Sequence, residues 1–448
     1  MPWRGKGTEI VMTNDMNHPP RRRVAVTGTG VITSVGTSVE EWWAALLAGR
    51  SGAGPITGFD ASDLPVRFAA EVHGFTPPED WPREIVRRLD RSALFALAAA
   101  EEALAQAGLK IDPELGERTA VLVGSSDGPD RFVTECQMRL RDRGYRKVPP
   151  HYAATASNGI AGSQIALWVG AGGPSASINT ACATGATSIG EGMRLIQHGE
   201  ADVVIAGGCD DSISPLNIAG TAIAGALSRR NDEPERASRP FDRERTGFVY
   251  GAGAGVVILE DAEHATRRGA TILAELAGYG ATTDAYHLTA PHPEGLGAQR
   301  AMRLALAEAG VRPGEVGYIN AHGTSTVLND RIEIAAIRAV FGADAPRTPI
   351  SSIKSMLGHM IGAAGAVEFV AAVQTLLTGM LPPTINCDDP EDPELDFVPH
   401  VARRHDPDVV MSDSFGFGGH NAVLVARRWP DGPEPARPDG TTNDQDGE

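Results

Sequence analysis

The chain has 448 residues, of which 42% are hydrophobic and 22% charged, so it is long enough for a large buried core. Its formal net charge of −17 argues against nucleic acid or an anionic membrane as a partner, because both require a basic face. The four cysteines, Cys136, Cys182, Cys209 and Cys387, lack paired spacing. This argues against disulfides and zinc and favours the reducing cytoplasm. We find no apolar run of about 18 residues and expect no membrane span.

The two ends of the chain are predicted to lie outside the folded body. Residues 1–21 contain no apolar stretch of the signal-peptide kind, and we interpret them as a flexible extension. Residues 428–448 are rich in Pro, Asp and Gly and are predicted to be disordered. Order is expected to begin at the β-rich run 24–28.

Between these ends, strand-like and helix-like segments alternate. A helix is expected over 92–109, with Asp90 or Ser92 as its N-cap and Gly108 near its end. A buried strand is expected over 120–124. Alternation of this kind favours an α/β fold.

Two later segments share one design. The strand-like run 175–181 meets Cys182 and then a helix of small residues over 183–197. The short strand 350–353 leads through His359 into a second small-residue helix over 362–377. Although no literal repeat is visible, two such units predict a duplicated fold whose inner helices approach closely.

Cys182 is the first candidate for chemistry. A thiol at a helix N-terminus meets unpaired N–H groups and the positive end of the helix dipole, and both favour the reactive thiolate. Most lone cysteines are small buried apolar residues, and the local sequence alone favours that structural alternative.

Two histidines strengthen the chemical interpretation. His322 follows the predicted strand 316–320, and His359 follows 350–353. Loops at strand ends are where α/β folds place their sites. A cysteine with two distant histidines suits thioester chemistry, because imidazoles move protons or stabilise developing negative charge. Taken singly, each histidine is more often a hydrogen-bonded structural residue.

The glycine-rich stretch 414–421 is the fourth element. Its backbone N–H groups can reach an oxyanion and Phe417 can act as a movable apolar gate, although a tight hairpin loop is the alternative. The pair Gly28 and Gly30 is only a weak dinucleotide signal, because Thr33 stands where the third glycine is needed.

Together these elements resemble the β-ketoacyl-acyl carrier protein synthases, in their elongating Cys-His-His class. The resemblance rests on four motifs in the family's order: TACATG at 180–185, AHGTST at 321–326, KSMLGH at 354–359 and FGFGG at 415–419. It implies a thiolase-like α/β fold with two similar halves and five layers (α-β-α-β-α). The nucleophile would lie in the N-terminal half, 22–268, and both histidines in the C-terminal half, 269–427.

The resemblance also implies an acyltransferase reaction, the decarboxylative Claisen condensation of malonyl-carrier with an acyl group held on Cys182. The residues that it implies are catalytic Cys182, His322, His359 and Lys354; an oxyanion hole and gate at Cys182 and Phe417; supporting Asp330, Glu333 and Glu368; and substrate-binding Thr324, Thr326, Asp127 and Phe415. No metal or cofactor is expected, since the substrates travel on the phosphopantetheine of the carrier.

The implied partners are acyl carrier protein and a second subunit. Because the carrier is acidic, docking needs local cations, and Arg87 and Arg88 resemble the family's docking segment. A second basic cluster comprises Arg139, Arg141, Arg143, Arg146 and Lys147. Either cluster is equally well a solvated helix face. The dimer is expected to be a homodimer, or a heterodimer with a chain-length-factor subunit.

Asp127 departs from the family pattern, because it stands where fatty-acid enzymes usually carry an apolar residue of the acyl pocket. A carboxylate buried there without a partner would cost several kcal/mol. We therefore lean towards a type II polyketide ketosynthase, with a housekeeping fatty-acid elongation synthase II as the alternative.

Two other classes compete with a condensing enzyme. A non-catalytic chain-length factor would lack the nucleophile, and Cys182 with both histidines argues against it. A coenzyme A thiolase would need a second cysteine as base, which is not found near Phe417. A nucleotide-dependent oxidoreductase is the weakest alternative.

Overall fold

The computed structural model describes residues 21–430 and residue 432. Of the predicted extension, 1–21, the structure describes residue 21 alone. Of the predicted disordered tail, 428–448, it describes residues 428–430 and 432; the other residues of both ends lie outside the described range. Within the described part of the tail, Trp429 packs against a small cluster of buried apolar side chains.

Along this range the chain forms 14 strands and 14 α-helices, joined by loops and short 3-10 turns. The strands are β1 (Val24–Ile32), β2 (Gly54–Pro55), β3 (Phe68–Ala69), β4 (Thr119–Gly124), β5 (Ser175–Ala176), β6 (Val203–Asp211), β7 (Ala252–Asp261), β8 (Ala274–Thr283), β9 (Tyr318–Asn320), β10 (Ile350–Ser351), β11 (Met380–Leu381), β12 (Arg403–Arg404), β13 (Val409–Gly416) and β14 (His420–Arg427). The helices are α1 (Val39–Leu47), α2 (Arg83–Arg88), α3 (Arg91–Ala107), α4 (Pro113–Glu117), α5 (Asp130–Arg143), α6 (Tyr152–Thr155), α7 (Ile160–Val169), α8 (Thr184–Gln197), α9 (Pro215–Ile223), α10 (Ala262–Arg267), α11 (Leu296–Ala309), α12 (Val327–Phe341), α13 (Lys354–Leu357) and α14 (Ala364–Thr378).

The main sheet is a duplication. Its order is β10-β9-β13-β14-β8-β1-β7-β6-β4-β5. In each half a central strand, β4 or β9, pairs in parallel with two neighbours, and the remaining pairs are antiparallel. The halves join where β1 runs antiparallel to β8, from Val24 opposite Leu276 to Val26 opposite Ala274.

Helices complete five layers. In the N-terminal half, α3 and α7 cover the outer face of the sheet, and α11 and α12 cover the outer side of the C-terminal half. Between the halves, α8 packs against α14. Glycine makes this contact possible: a Cβ on Gly185 would lie 2.6 Å from Ala366 N, and one on Gly365 would lie 2.9 Å from Ala186 N. The predicted duplicated five-layered α/β fold is confirmed.

The helix α14 and the turn before it contradict the expectation that the chain has no apolar run of about 18 residues. The segment Ile361–Thr378, with a mean hydropathy of 1.5, is long and apolar enough by composition to cross a membrane. The expectation that the chain has no apolar run of this length was therefore wrong. Because 89% of this segment is buried inside the protein, it serves as a core helix.

Several predicted elements have shifted bounds. The helix α3 starts after Asp90, whose side chain accepts from Ser92 N, and ends at Gly108, which has a φ of 57°. The strand expected over 175–181 keeps only Ser175–Ala176 in the sheet. It is shorter because Asn179 leaves the sheet and donates from its side chain to Ser126 O at 2.8 Å.

Candidate active site

Cys182 lies in the turn that opens the buried helix α8. The preceding Ala181 has a φ of +50°, a left-handed conformation that residues with a Cβ rarely adopt. The N–H of Thr180 donates to Thr184 Oγ1 at 2.9 Å and closes the turn. The thiol is 8% exposed and lines a cavity of about 520 Å³.

The protonation state of Cys182 differs from the sequence-based expectation. Burial raises the pKa of its thiol to about 12, although the Phe417 N–H and the Lys354 charge act in the opposite direction. The helix start therefore does not make Cys182 a thiolate in the free protein, and that prediction was wrong. Desolvation disfavours the charged form more strongly than the Phe417 N–H and the Lys354 charge favour it.

Gly416 brings the Phe417 loop close to Cys182. A Cβ on Gly416 would lie 2.6 Å from Thr180 O and 3.1 Å from Cys182 N, so only glycine allows this approach. The backbone N–H of Phe417 donates to the Cys182 sulfur. The Phe417 side chain is 46% exposed and lines the cavity.

His322 follows β9 and is held through its backbone. Glu333 on α12 accepts from His322 N and from Gly323 N, both at 2.7 Å. Asp330, one turn earlier, accepts from Phe241 N at 2.8 Å and from the backbone N–H of Thr324. Two of the three predicted supporting carboxylates therefore bind the loop that carries the histidine.

Lys354 fixes the ring of His322. Its Nζ donates to His322 O at 2.6 Å, lies 3.3 Å from His322 Nδ1 and forms a buried ion pair with Glu368. Since an ammonium group has donors and no acceptor, Nδ1 must accept, and the ring proton lies on Nε2. Lys354 and Glu368 are fully buried.

His359 lies across from His322, with ring centres 5.4 Å apart and planes at 85°. Its backbone is fixed, because His359 N donates to Val249 O at 2.6 Å. Neither ring nitrogen of His359 has a hydrogen-bond partner among the described residues. Burial and the Lys354 charge lower the pKa of both histidines well below the ordinary value, so both rings are neutral near pH 7.

The cavity collects the predicted substrate-binding residues. Thr324 and Thr326 line it, with their hydroxyl oxygens 3.0 Å apart. Phe415 lines it with its ring centre 5.7 Å from that of His322. Asp127 lines it as well, and its carboxylate is paired, because it accepts from Asn217 Nδ2 at 3.2 Å.

Sequence reasoning missed Asp210, which lies at the end of β6 and is fully buried. It accepts from Ser125 Oγ at 2.5 Å, from Ser126 N at 3.0 Å, from Asp127 N at 3.2 Å and from Gly362 N at 2.7 Å. It thereby ties the loop that carries Asp127 to the start of the second inner helix. A single acidic residue in the last positions of an apolar strand gave no signal for this role.

The two basic clusters lie on exposed surfaces. Arg87 and Arg88 form the last turn of α2, and Arg88 pairs with Glu84 at 3.2 Å. The second cluster lies on the C-terminal part of α5 and the turn that follows. The start of α5 contacts the chain just after α2, since Phe132 N donates to the side chain of Asp90 at 3.3 Å.

Comparison with known proteins matches this arrangement to a family. The model described as β-ketoacyl synthase, N-terminal domain, matches residues 21–265, and the C-terminal domain model matches residues 273–388. The chain belongs to the β-ketoacyl synthase family. This synthase is an acyltransferase.

Its relatives cover nearly the whole folded chain. The synthase is 45% identical to the 3-oxoacyl-[acyl-carrier-protein] synthase 2 of Coxiella burnetii, over 91% of this chain and 99% of the relative. Among solved structures, the ishigamide ketosynthase/chain length factor has a TM-score of 0.84 and 39% identity. The type II PKS acyl-carrier protein in complex with its ketosynthase bound to the hexaketide, AntDE:AntF, gives 0.84 and 33%. Both cover 91% of this chain and 100% of the solved one.

The comparisons divide on the pathway. The curated relatives carry the name of the elongation synthase, and they favour the alternative, an enzyme of fatty-acid type. The polyketide interpretation is not confirmed, although polyketide ketosynthases are among the structural neighbours.

Proposed function

We propose that this synthase elongates carrier-bound acyl chains by decarboxylative condensation, with Cys182 as the acyl acceptor. The observation that carries the proposal is that a thiol, two neutral imidazoles and a backbone-donor loop line one cavity. These groups match the needs of an acyl transfer followed by formation of an enolate.

In the first half-reaction the Cys182 sulfur attacks the carbonyl carbon of an acyl-carrier thioester. The new carbon–sulfur bond forms, the bond to the pantetheine sulfur breaks, and the thiol proton ends on the departing pantetheine. Because the pKa of the Cys182 thiol is raised to about 12, the proton leaves as the sulfur attacks. A neutral imidazole in the same cavity can accept the proton on the way.

In the second half-reaction malonyl-carrier loses carbon dioxide, and the electron pair of the broken bond forms an enolate. The N–H groups of His322 and His359 stabilise its oxygen. The enolate carbon attacks the Cys182 thioester while the N–H groups of Cys182 and Phe417 stabilise the oxyanion. The released Cys182 thiolate takes one proton from solvent.

Lys354 is proposed as a positioning residue. Its contact with His322 Nδ1 leaves the Nε2 proton free for the enolate oxygen. Glu368 balances its charge, and Glu333 and Asp330 hold the loop at the backbone.

The substrates are proposed to arrive on acyl carrier protein, with no metal or redox cofactor. Thr324 and Thr326 would contact the pantetheine arm, since both line the cavity. Arg87 and Arg88 would receive the acidic carrier. A homodimer, or a heterodimer with a chain-length-factor subunit, and a cytoplasmic location belong to the same proposal; all four cysteines are free and buried.

The pathway that we propose first is elongation of fatty-acid type, supported by curated relatives such as the Coxiella burnetii synthase 2. Type II polyketide synthesis is the second candidate, and one observation favours it: the Asp127 carboxylate lies in the cavity with Cys182. Chain-length profiling of Asp127→Ile tests it. A shift towards longer saturated products supports the polyketide role, and an unchanged product range contradicts it.

Reconstitution tests the reaction itself. Acyl-carrier and malonyl-carrier are incubated with the synthase, and the carrier-bound product is analysed by mass spectrometry. A β-ketoacyl product two carbons longer is expected from the wild type and not from Cys182→Ser. Its absence in the wild type would contradict the proposed function.

A further inference from the structure

One wall of the cavity is polar where an apolar acyl chain would need apolar side chains. Asn217 and Thr221 lie four residues apart on α9, so both side chains occupy the same helix face. Both line the cavity together with Cys182, and so do Tyr250 and Asp127.

The first pair on this wall consists of two hydroxyl groups. Thr221 Oγ1 and Tyr250 OH are 2.8 Å apart. Each hydroxyl has one donor, and their mutual bond uses one of the two, so the pair retains one O–H donor. The Tyr250 ring packs edge-on against Phe248 at 5.1 Å, which fixes its direction.

The second pair offers acceptors. Asn217 Nδ2 donates to Asp127 Oδ2 and to Ser212 O, both at 3.2 Å, so both its N–H groups are used. The Asn217 Oδ1 atom and the remaining lone pairs of the Asp127 carboxylate can therefore accept. Asp210 holds Asp127 N at 3.2 Å and keeps the carboxylate at the cavity.

We propose that this wall, formed by Asp127, Asn217, Thr221 and Tyr250, selects acyl chains that carry a hydroxyl group near the thioester. A hydroxyl both donates and accepts, so it can satisfy the free O–H of the first pair and an acceptor of the second. An unsubstituted alkyl chain displaces water from these groups without replacing its hydrogen bonds. The inference rests on the proposed condensation and, because it selects oxygenated chains, favours the polyketide candidate over elongation of fatty-acid type.

The experiment compares the rates at which the full chain is acylated on Cys182 by pantetheine thioesters of equal length. One has an unsubstituted chain, and the others carry a single hydroxyl at carbon 3 or carbon 5. Intact-protein mass spectrometry measures each rate. We expect at least one hydroxyacyl thioester to react about tenfold faster than the alkyl one, about the worth of one or two net hydrogen bonds.

A double variant, Tyr250→Phe with Thr221→Val, tests the first pair. Tyr250→Phe or Thr221→Val alone leaves the other hydroxyl with its own free O–H donor. The double variant removes both donors, so its ratio of hydroxyacyl rate to alkyl rate should fall about tenfold below that of the wild type. Tyr279→Phe is the matched control: Tyr279 is also buried and donates to Glu191 at 3.3 Å, but does not line the cavity. It should keep the wild-type preference.

The outcomes separate this inference from the proposed function. Equal rates for all three thioesters in the wild type, or an unchanged preference in the folded double variant, overturn the selective wall while Cys182 remains an acyl acceptor. Absence of acylation by every thioester overturns the proposed function as well. Circular dichroism establishes that each variant is folded, and the wild-type rates alone decide the inference if the double variant does not fold.

Discussion

Nζ of Lys354 lies 3.3 Å from Nδ1 of His322 and 2.6 Å from its carbonyl oxygen, while the same ammonium group pairs with Glu368. The three contacts use all three N–H donors of the lysine. They leave the histidine one tautomer, with its proton on the side away from the lysine.

Lys354→Met is therefore expected to lower condensation about 10²-fold or more, because the tautomer is no longer fixed. It also leaves Glu368 buried without a counter-charge, at a cost of about 3–5 kcal/mol of unfolding free energy. Lys354→Met combined with Glu368→Leu should recover much of that stability and none of the condensation. Recovery of both in the double variant would contradict the positioning role. Initial rates and denaturant unfolding give the two readouts.

Gly416→Ala tests the contact between the gate loop and the nucleophile. The added methyl group would lie 2.6 Å from Thr180 O and must displace the loop that carries the Phe417 donor. Loss of such a donor costs about 10²–10³-fold in rate. Gly54→Ala is the control, since a Cβ there meets nothing within 4 Å. Equal product-formation rates in the two variants would show that the contact is dispensable.

The raised pKa of Cys182 predicts slow alkylation of the free enzyme. Because the thiolate forms only near pH 12, iodoacetamide labelling of Cys182 should rise about tenfold per pH unit from pH 7 to 9. Peptide mass spectrometry follows that site, with Cys182→Ala as the background. A rate that levels off below pH 9 would indicate a lowered pKa and would restore the helix-dipole interpretation.

Asp413 on β13 predicts a pH dependence of stability. Neither of its oxygens has a partner among the described residues, and burial beside Glu333 and Glu368 raises its pKa well above the ordinary value. The folded state therefore holds this proton more tightly than the unfolded chain does. The resulting stability is complete below the ordinary aspartate pKa and is lost as the pH rises towards the folded pKa.

An asparagine side chain cannot bind this proton, so Asp413→Asn removes its contribution to the pH dependence of stability. The stability of this variant relative to wild type should increase between pH 5 and pH 8, by at most about 1.4 kcal/mol per pH unit. The difference between the two melting temperatures, measured across this pH range, reports that increase. Asp408→Asn, at an exposed aspartate paired with Arg428, is the control and should leave the slope unchanged. Parallel wild-type and Asp413→Asn curves would contradict a buried neutral carboxyl.

Much of the fold could be predicted from local chemistry. Asp90 and Gly108 mark the ends of α3 through capping and a left-handed glycine, both of which are properties of the residues themselves. The short strand at 175–176 could not be predicted in this way. Its end depends on the distant contact between Asn179 and Ser126.

The site was predictable in its parts and less so in its electrostatics. Cys182, His322 and His359 stand in recognisable motifs, whereas the protonation of Cys182 depends on burial that the local sequence does not reveal. The four-residue spacing of Asn217 and Thr221 was a readable signal of a shared helix face. Tyr250 had none, since it reaches Thr221 only through the fold.

The most direct test of the account is a single-turnover experiment that follows Cys182 itself. The synthase is mixed with acyl-carrier alone, and the peptide that contains Cys182 is examined by mass spectrometry before and after addition of malonyl-carrier. We predict an acyl thioester on Cys182 that disappears as carbon dioxide and a β-ketoacyl-carrier form in equal amounts. An unmodified Cys182, or an acyl group that persists while product forms, would contradict the assignment of Cys182 as the acyl acceptor.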